Sequence, residues 1–255
     1  MRDATSDVAV VVIPARYGST RLPGKPVADI GGRPLIDHVW RRACLARLPE
    51  RVLIATDDER VRRALPSEAE IVMTSADHPT GSDRVGEAVA HVACGIVVNV
   101  QGDLPLLDPT LIDELISMLR ADRDLGMATA AVPIRSAEEL RNPSVVKLVC
   151  DRRGRALYFS RAPIPYSRDD PGQPHGAYRH VGIYAFRRAV LCQFTALTPT
   201  SLERTENLEQ LRAIENGIVI GVVRRAESVP LEVDTPEDLV EARRVLAAME
   251  ARHRE

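Results

Sequence analysis

Short apolar runs recur along the chain at Val8–Pro14, Arg51–Thr56, Glu70–Thr74, Gly95–Val100 and Met127–Pro133, and amphipathic stretches separate most of them. An apolar run of that length predicts a buried strand, whereas spacing of three or four predicts a helix with one buried face. Strands alternating with helices predict an α/β protein on a layered, mostly parallel sheet, with ligands beyond the carboxyl ends of the strands. Between Val145 and Ala185 the pattern changes. There VVKLVCDRRGRALYFSRAPIPY predicts a hairpin with irregular extended segments and HVGIYAF a further strand, together a small extended lobe suited to an acceptor or a dimer contact. NLEQLRAIENG predicts a helix that stops at Gly217, followed by a strand near Ile218–Arg224 and a last helix from Thr235. Without repeats or low-complexity tracts, the 255 residues are expected to form a single domain.

Composition narrows the partners. With 45% hydrophobic residues, 27% charged residues and a net charge of -2, the chain has material for a core and lacks a surface for coating nucleic acid. A small-molecule partner is expected. The N-terminal MRDATSD is polar and no apolar run reaches the ~18 residues that a membrane helix needs, so a soluble, cytoplasmic protein is expected. Cys44, Cys94, Cys150 and Cys192 form no C-x-x-C or Cys/His pair, which predicts buried, reduced thiols rather than disulfides or zinc.

The first strand runs into VVIPARYGSTRLPGKP, a loop with Arg16, Arg21 and Lys25 among glycines and prolines. It is no P-loop, because five residues separate Gly18 from Gly24 and Pro26 follows Lys25. Strand-end glycines and fixed cations nevertheless suit an anion such as a triphosphate. A solvated basic loop is the alternative, but lysine occurs only at Lys25 and Lys147 in a chain that otherwise uses arginine. Asp103, in VVNVQGDLP, lies just past a strand and suits a hard cation or a turn. Asp234, in EVDTPEDL, precedes a helix start marked by Thr235 as N-cap, Pro236 and a reciprocating Asp238, which leaves its own carboxylate for another task. The loop TSADHPTGSDR, ending at Arg84, suits a base held by backbone groups or a plain surface loop. Arg161, Arg179 and His180 together would make an anion pocket, although a structural histidine is also consistent. Glu206, Glu209 and Gln210 would share a helix face, functional or merely solvated.

These blocks, with ATDDERV, NPSVVKLV, RHVGIYAF and LERTENLEQLRAIENG, resemble in order those of the 3-deoxy-manno-octulosonate (Kdo) cytidylyltransferases, the CMP-Kdo synthetases, over nearly the whole chain. The resemblance implies a fold of the nucleotide-diphospho-sugar transferase type, a homodimer, and transfer of CMP from CTP to a sugar acid with Mg²⁺ and loss of pyrophosphate. Residues 1–140 would mainly bind CTP, 141–230 the acceptor and the partner subunit, and 231–255 would bring the second metal aspartate and the last helix. Arg16, Arg21 and Lys25 would bind the triphosphate and act in catalysis with Asp103 and Asp234, the metal ligands. Pro14, Ala15, Thr74, Thr80, Gly81, Ser82 and Gln101 would complete the CTP site. Arg84, Gln101, Arg161, His180, Tyr184, Glu206 and Gln210 would bind the acceptor. Two departures stand beside the aspartates: Leu104 replaces the glutamate of the family's QGDEP, and Leu231-Glu232 replaces Thr-Gly before V-D-T-P. Loss of a hydrogen-bonding group there leaves two acceptors open, a Kdo-like sugar acid or a small acceptor without hydroxyls, phosphonoformate, which relatives in phosphonate pathways activate. A regulatory or scaffold protein that keeps the fold without turnover is the other class.

Overall fold

The structure is a computed structural model and describes residues 7–18, 22–226 and 231–252. They fall into two compact units, drawn from Met1–Asp113 with Pro230–Glu255 and from Glu114–Val229. In the first, the strands β1 (Ala9–Pro14), β4 (Arg51–Thr56), β5 (Glu70–Met73) and β6 (Ile96–Val100) run parallel in the order β6-β1-β4-β5. Ala9 through Ile13 are wholly buried, as expected of a central strand covered on both faces. The helices α1 (Leu35–Ala43), α2 (Glu59–Arg63) and α3 (Gly81–Ala88) pack on β1 and β4. Two short strands, β2 (Asp29–Ile30) and β3 (Arg33–Pro34), form a ribbon ahead of α1. Helix α4 (Pro109–Ala121) follows β6.

In the second unit β7 (Met127–Pro133) lies between β11 (Ile220–Arg224), parallel to it, and β10 (Tyr178–Arg187), antiparallel. The predicted hairpin is β8 (Lys147–Cys150) with β9 (Ala156–Ser160), joined through β8 to β10. Helices α5 (Ala137–Arg141), α6 (Arg188–Ala196), α7 (Ser201–Glu206) and α8 (Gln210–Glu215) complete the unit. The one helix face expected to hold Glu206, Glu209 and Gln210 is broken: α7 ends at Glu206, Asn207 turns left-handed at φ 52°, and α8 begins at Gln210. The helix ahead of Gly217 does stop there, with Gly217 at φ 73°.

The last helix, α9 (Pro236–Arg252), opens as its sequence predicts. Asp238 accepts from the backbone N–H of Asp234 and Thr235, and the Thr235 hydroxyl accepts from the Asp238 N–H. Val233, Leu239 and Ala242 then pack with Ile30 and Leu35, and Leu231 lies against this cluster. Of the four cysteines, all free thiols, Cys44 and Cys192 are exposed rather than buried. No helix among the described residues is long and apolar enough to cross a membrane.

Candidate active site

The parallel strands β1 and β6 end side by side, so the loops that leave them share one cleft. Gly102 permits the approach: a Cβ there would stand 2.9 Å from the Pro14 carbonyl oxygen. Pro14, Ala15, Arg16 and Lys25 from the first loop, with Gln101 and Asp103 from the second, line a cleft of about 440 Å³. Asp234 closes the same cleft from the far end of the chain. It is held there because Val233 donates its N–H to the Asp103 carbonyl at 2.9 Å while its side chain sits in the core beneath α9. Sequence residues far apart thus meet through one backbone bond and one apolar cluster.

At the centre stands Lys25. Its ammonium donates to Asp103 Oδ2 and to Asp234 Oδ1, each at 2.8 Å. Burial alone pushes the Lys25 pKa down, but the two carboxylates outweigh it and leave the pKa above its usual value. Gly24, at φ 70°, turns the chain into the short 3-10 turn Lys25–Val27, and a Cβ on it would press on the Tyr17 hydroxyl at 3.2 Å. Tyr17 is in turn covered by the Arg60 guanidinium, 3.4 Å from its ring centroid, and Arg60 is forked onto Asp58. Asp58 is also the N-cap of α2. Arg16 is exposed on the cleft rim. Arg21 lies outside the described residues.

A smaller hollow of about 100 Å³ shares Pro14, Arg16 and Gln101 with the cleft and adds Thr80, Gly81, Arg84 and His78. Thr80 caps α3 in a reciprocal box with Asp83, which fixes the loop against the sheet. Arg84 is buried; its Nη1 donates to the Thr74 hydroxyl at 2.6 Å and stands 3.1 Å from Asp57 Oδ1 as an ion pair. Arg84, which the resemblance assigns to the acceptor, lines this hollow together with Gln101. Ser82 is buried in α3. His78, paired with Glu87, was not selected from the sequence, although it stands inside the quoted TSADHPTGSDR loop.

Of the expected acceptor residues, Arg84 and Gln101 belong to the first unit and the other five to the second. The predicted anion pocket of Arg161, Arg179 and His180 does not form. Arg161 spends its guanidinium on the carbonyls of Glu206, Pro143 and Asn207, and Arg179 faces Glu139 at 3.7 Å. His180 is buried, and burial pushes its pKa down to about 3. The Thr129 hydroxyl donates to the Ile183 carbonyl at 2.8 Å, so at 2.9 Å from His180 Nε2 its oxygen must accept, which fixes the neutral Nε2–H tautomer. The Tyr184 ring stands 5.3 Å from that imidazole. Glu206 accepts from the Ser160 hydroxyl at 2.6 Å and the Arg161 N–H at 2.9 Å. Gln210 is buried at the start of α8. Lys147, the other lysine, is wholly buried and gives its ammonium to the carbonyls of Asn142, Val145 and Arg161, tying the loop before β8 to the end of β9.

The departures beside the aspartates read differently once placed. Leu104 is 1% exposed and Leu231 packs on the cluster under α9, so neither side chain lines the cleft. The inference of a pocket rebuilt for phosphonoformate loses its structural footing, because these leucines fill core volume.

Asp103 and Asp234 already converge on a single cation, and two hard carboxylates suit Mg²⁺, which takes one or two carboxylates with substrate phosphates and water. No group of three His, Cys, Asp or Glu able to hold a metal occurs among the described residues, so phosphate oxygens and water would complete such a site.

Residues 10–224 match the family model described as Cytidylyltransferase, and fold and site together define a CTP-dependent nucleotidyltransferase. The 3-deoxy-manno-octulosonate cytidylyltransferase of Pelobacter propionicus is 47% identical over 251 residues, covering 94% of this chain and 98% of that protein. That of Chromohalobacter salexigens is 49% identical over 252 residues, covering 95% and 97%. A solved CMP:2-keto-3-deoxy-manno-octonic acid synthetase complexed with CTP superposes with a TM-score of 0.89 at 43% identity, covering 95% of this chain and 99% of that one. The chain belongs to the 3-deoxy-manno-octulosonate cytidylyltransferase family.

Proposed function

We propose that the protein transfers CMP from CTP to Kdo, releasing pyrophosphate. The observation that carries the reading is the meeting of Lys25, Asp103 and Asp234 at the strand ends, in a chain nearly half identical to proteins named for that reaction. An acceptor hydroxyl attacks the α-phosphorus in line, a new P–O bond forms, the α–β anhydride bond breaks, and the hydroxyl proton is released. Lys25 and Arg16, the latter on the rim, offset charge on the leaving pyrophosphate, and Arg21 is assigned the same task by its place in the loop. Asp103 and Asp234 would hold the divalent cation, for which Mg²⁺ is the natural ion. When bound, it would polarise the α-phosphoryl oxygen as a Lewis acid. The hollow lined by Thr80, Gly81 and Gln101 receives the base, whose donors and acceptors backbone groups can read. Catalysis is by positioning and electrostatics, with no covalent intermediate.

Arg161, His180, Tyr184, Glu206 and Gln210 are proposed to shape the acceptor end, His180 as a neutral hydrogen-bonding group. Leu157 and Tyr166, exposed at 57% and 76% in the hairpin lobe, give a second copy of the chain an apolar surface and support a homodimer. The retained Lys25, Asp103 and Asp234 argue against a scaffold without turnover. The test is pyrophosphate release from CTP with Kdo beside phosphonoformate. Efficient use of Kdo alone is the expected outcome, and turnover with phosphonoformate but not Kdo would overturn the acceptor assignment.

A further inference from the structure

The Lys25 ammonium occupies the point at which a cation shared by Asp103 and Asp234 would sit. Both contacts are 2.8 Å, and the three side chains are only 18%, 22% and 31% exposed, so the attraction is less screened than at an open surface. Two carboxylates brought together in such a cleft without a cation would repel one another and the chain segments that carry them. We propose that Lys25 is an internal counter-ion that fills the divalent-cation position in the nucleotide-free enzyme and gives it up when the triphosphate arrives. The metal then enters with the nucleotide rather than ahead of it.

Three observations support the exchange. The backbone at Lys25 is fixed by the left-handed Gly24 and the 3-10 turn through Pro26, so the movement falls to the flexible four-carbon side chain. The cleft that Lys25 lines also holds Arg16, which places phosphate-binding charge within the same 440 Å³. A free hydrated Mg²⁺ ion sheds water reluctantly and would have to expel a doubly bonded ammonium without offering it another anion. A metal–triphosphate complex instead offers the displaced ammonium a new anion. One lysine therefore holds the aspartates in register in the empty enzyme and neutralises phosphate in the loaded one. The inference rests on the cytidylyl-transfer reading of the cleft.

The experiment titrates Mn²⁺ alone, without nucleotide, into wild-type protein, Lys25→Met, and Lys25→Met combined with Asp103→Asn, by calorimetry and by the paramagnetic signal of free Mn²⁺. Lys25→Met is expected to bind Mn²⁺ on the order of tenfold or more tighter than wild type, since a competing unit charge has gone. Adding Asp103→Asn is expected to abolish the gain. Mn²⁺ should also raise the melting temperature of Lys25→Met and leave that of wild type unchanged. Equal affinities of wild type and Lys25→Met would overturn the proposal. Should Lys25→Met not fold, the wild-type titration decides alone: saturable Mn²⁺ binding at micromolar concentration without nucleotide overturns it, and its absence upholds it. A wild type that binds free Mn²⁺ tightly yet releases pyrophosphate with CTP and Kdo refutes only the counter-ion role. An inactive protein whose metal affinity still depends on Lys25 refutes only the cytidylyl-transfer reading.

Discussion

His180 makes the stability of the second unit depend on pH in a direction that can be worked out. Its imidazole is buried against Phe159 and Tyr184 and donates Nε2–H to Thr129 Oγ1. Burial lowers its pKa from the usual 6.5 to about 3. A depressed folded-state pKa means that the unfolded chain binds a proton first as pH falls. The contribution of the neutral ring is complete above pH 6.5 and is lost progressively toward pH 3. Moving from pH 7 to pH 5 should cost about 2 kcal/mol at this residue, equivalent to a melting shift of roughly 4–8 °C for a chain of this size. His180→Gln keeps an N–H for Thr129 but cannot titrate. Denaturant unfolding of both proteins at the two pH values isolates the effect, since carboxylates common to both cancel. The wild type should lose about 2 kcal/mol more than the variant between pH 7 and pH 5. Equal losses would refute both the neutral ring and its burial.

Gly102→Ala should lower the melting temperature and raise KM for CTP several-fold, because its Cβ would meet the Pro14 carbonyl at 2.9 Å and part the two loops that form the cleft. Unchanged KM and melting temperature would show that the loops do not depend on that approach. Asp103→Asn and Asp234→Asn should each reduce kcat about a hundredfold or more, and the double variant should be little worse than either single one, as for groups acting as a unit. Multiplicative losses, read from steady-state kinetics, would assign the aspartates separate tasks.

The strands were legible where burial on both faces leaves a continuous apolar run, as in β1, β4 and β6. The start of α9 was legible because Thr235, Pro236 and Asp238 settle it locally. The break between α7 and α8 was not, because it turns on a left-handed Asn207 where glycine is the usual signal. The cation loop and both aspartates could be picked out as candidates. Their meeting could not, because it depends on Val233 reaching the Asp103 carbonyl and on the packing beneath α9. Leu104 and Leu231 misled for a related reason: sequence proximity to a site residue says nothing about which way a side chain points. Lys147 stood out as one of two lysines, but a role in gathering three carbonyls has no sequence signature.

The bond from Val233 to Asp103 also sets a timetable. Lys25 and Asp103 are 78 residues apart, while Lys25 and Asp234 are separated by 209. At ribosomal rates of roughly 5–20 residues per second, Asp234 is made on the order of 10–40 s after Lys25. Through that interval the nascent chain holds the basic loop and one aspartate without the segment that completes the cleft. Any product of interrupted synthesis that stops before Val233 carries the basic loop with half its acidic pair. The cleft is therefore completed only in chains whose synthesis has passed through the second unit and returned to the first.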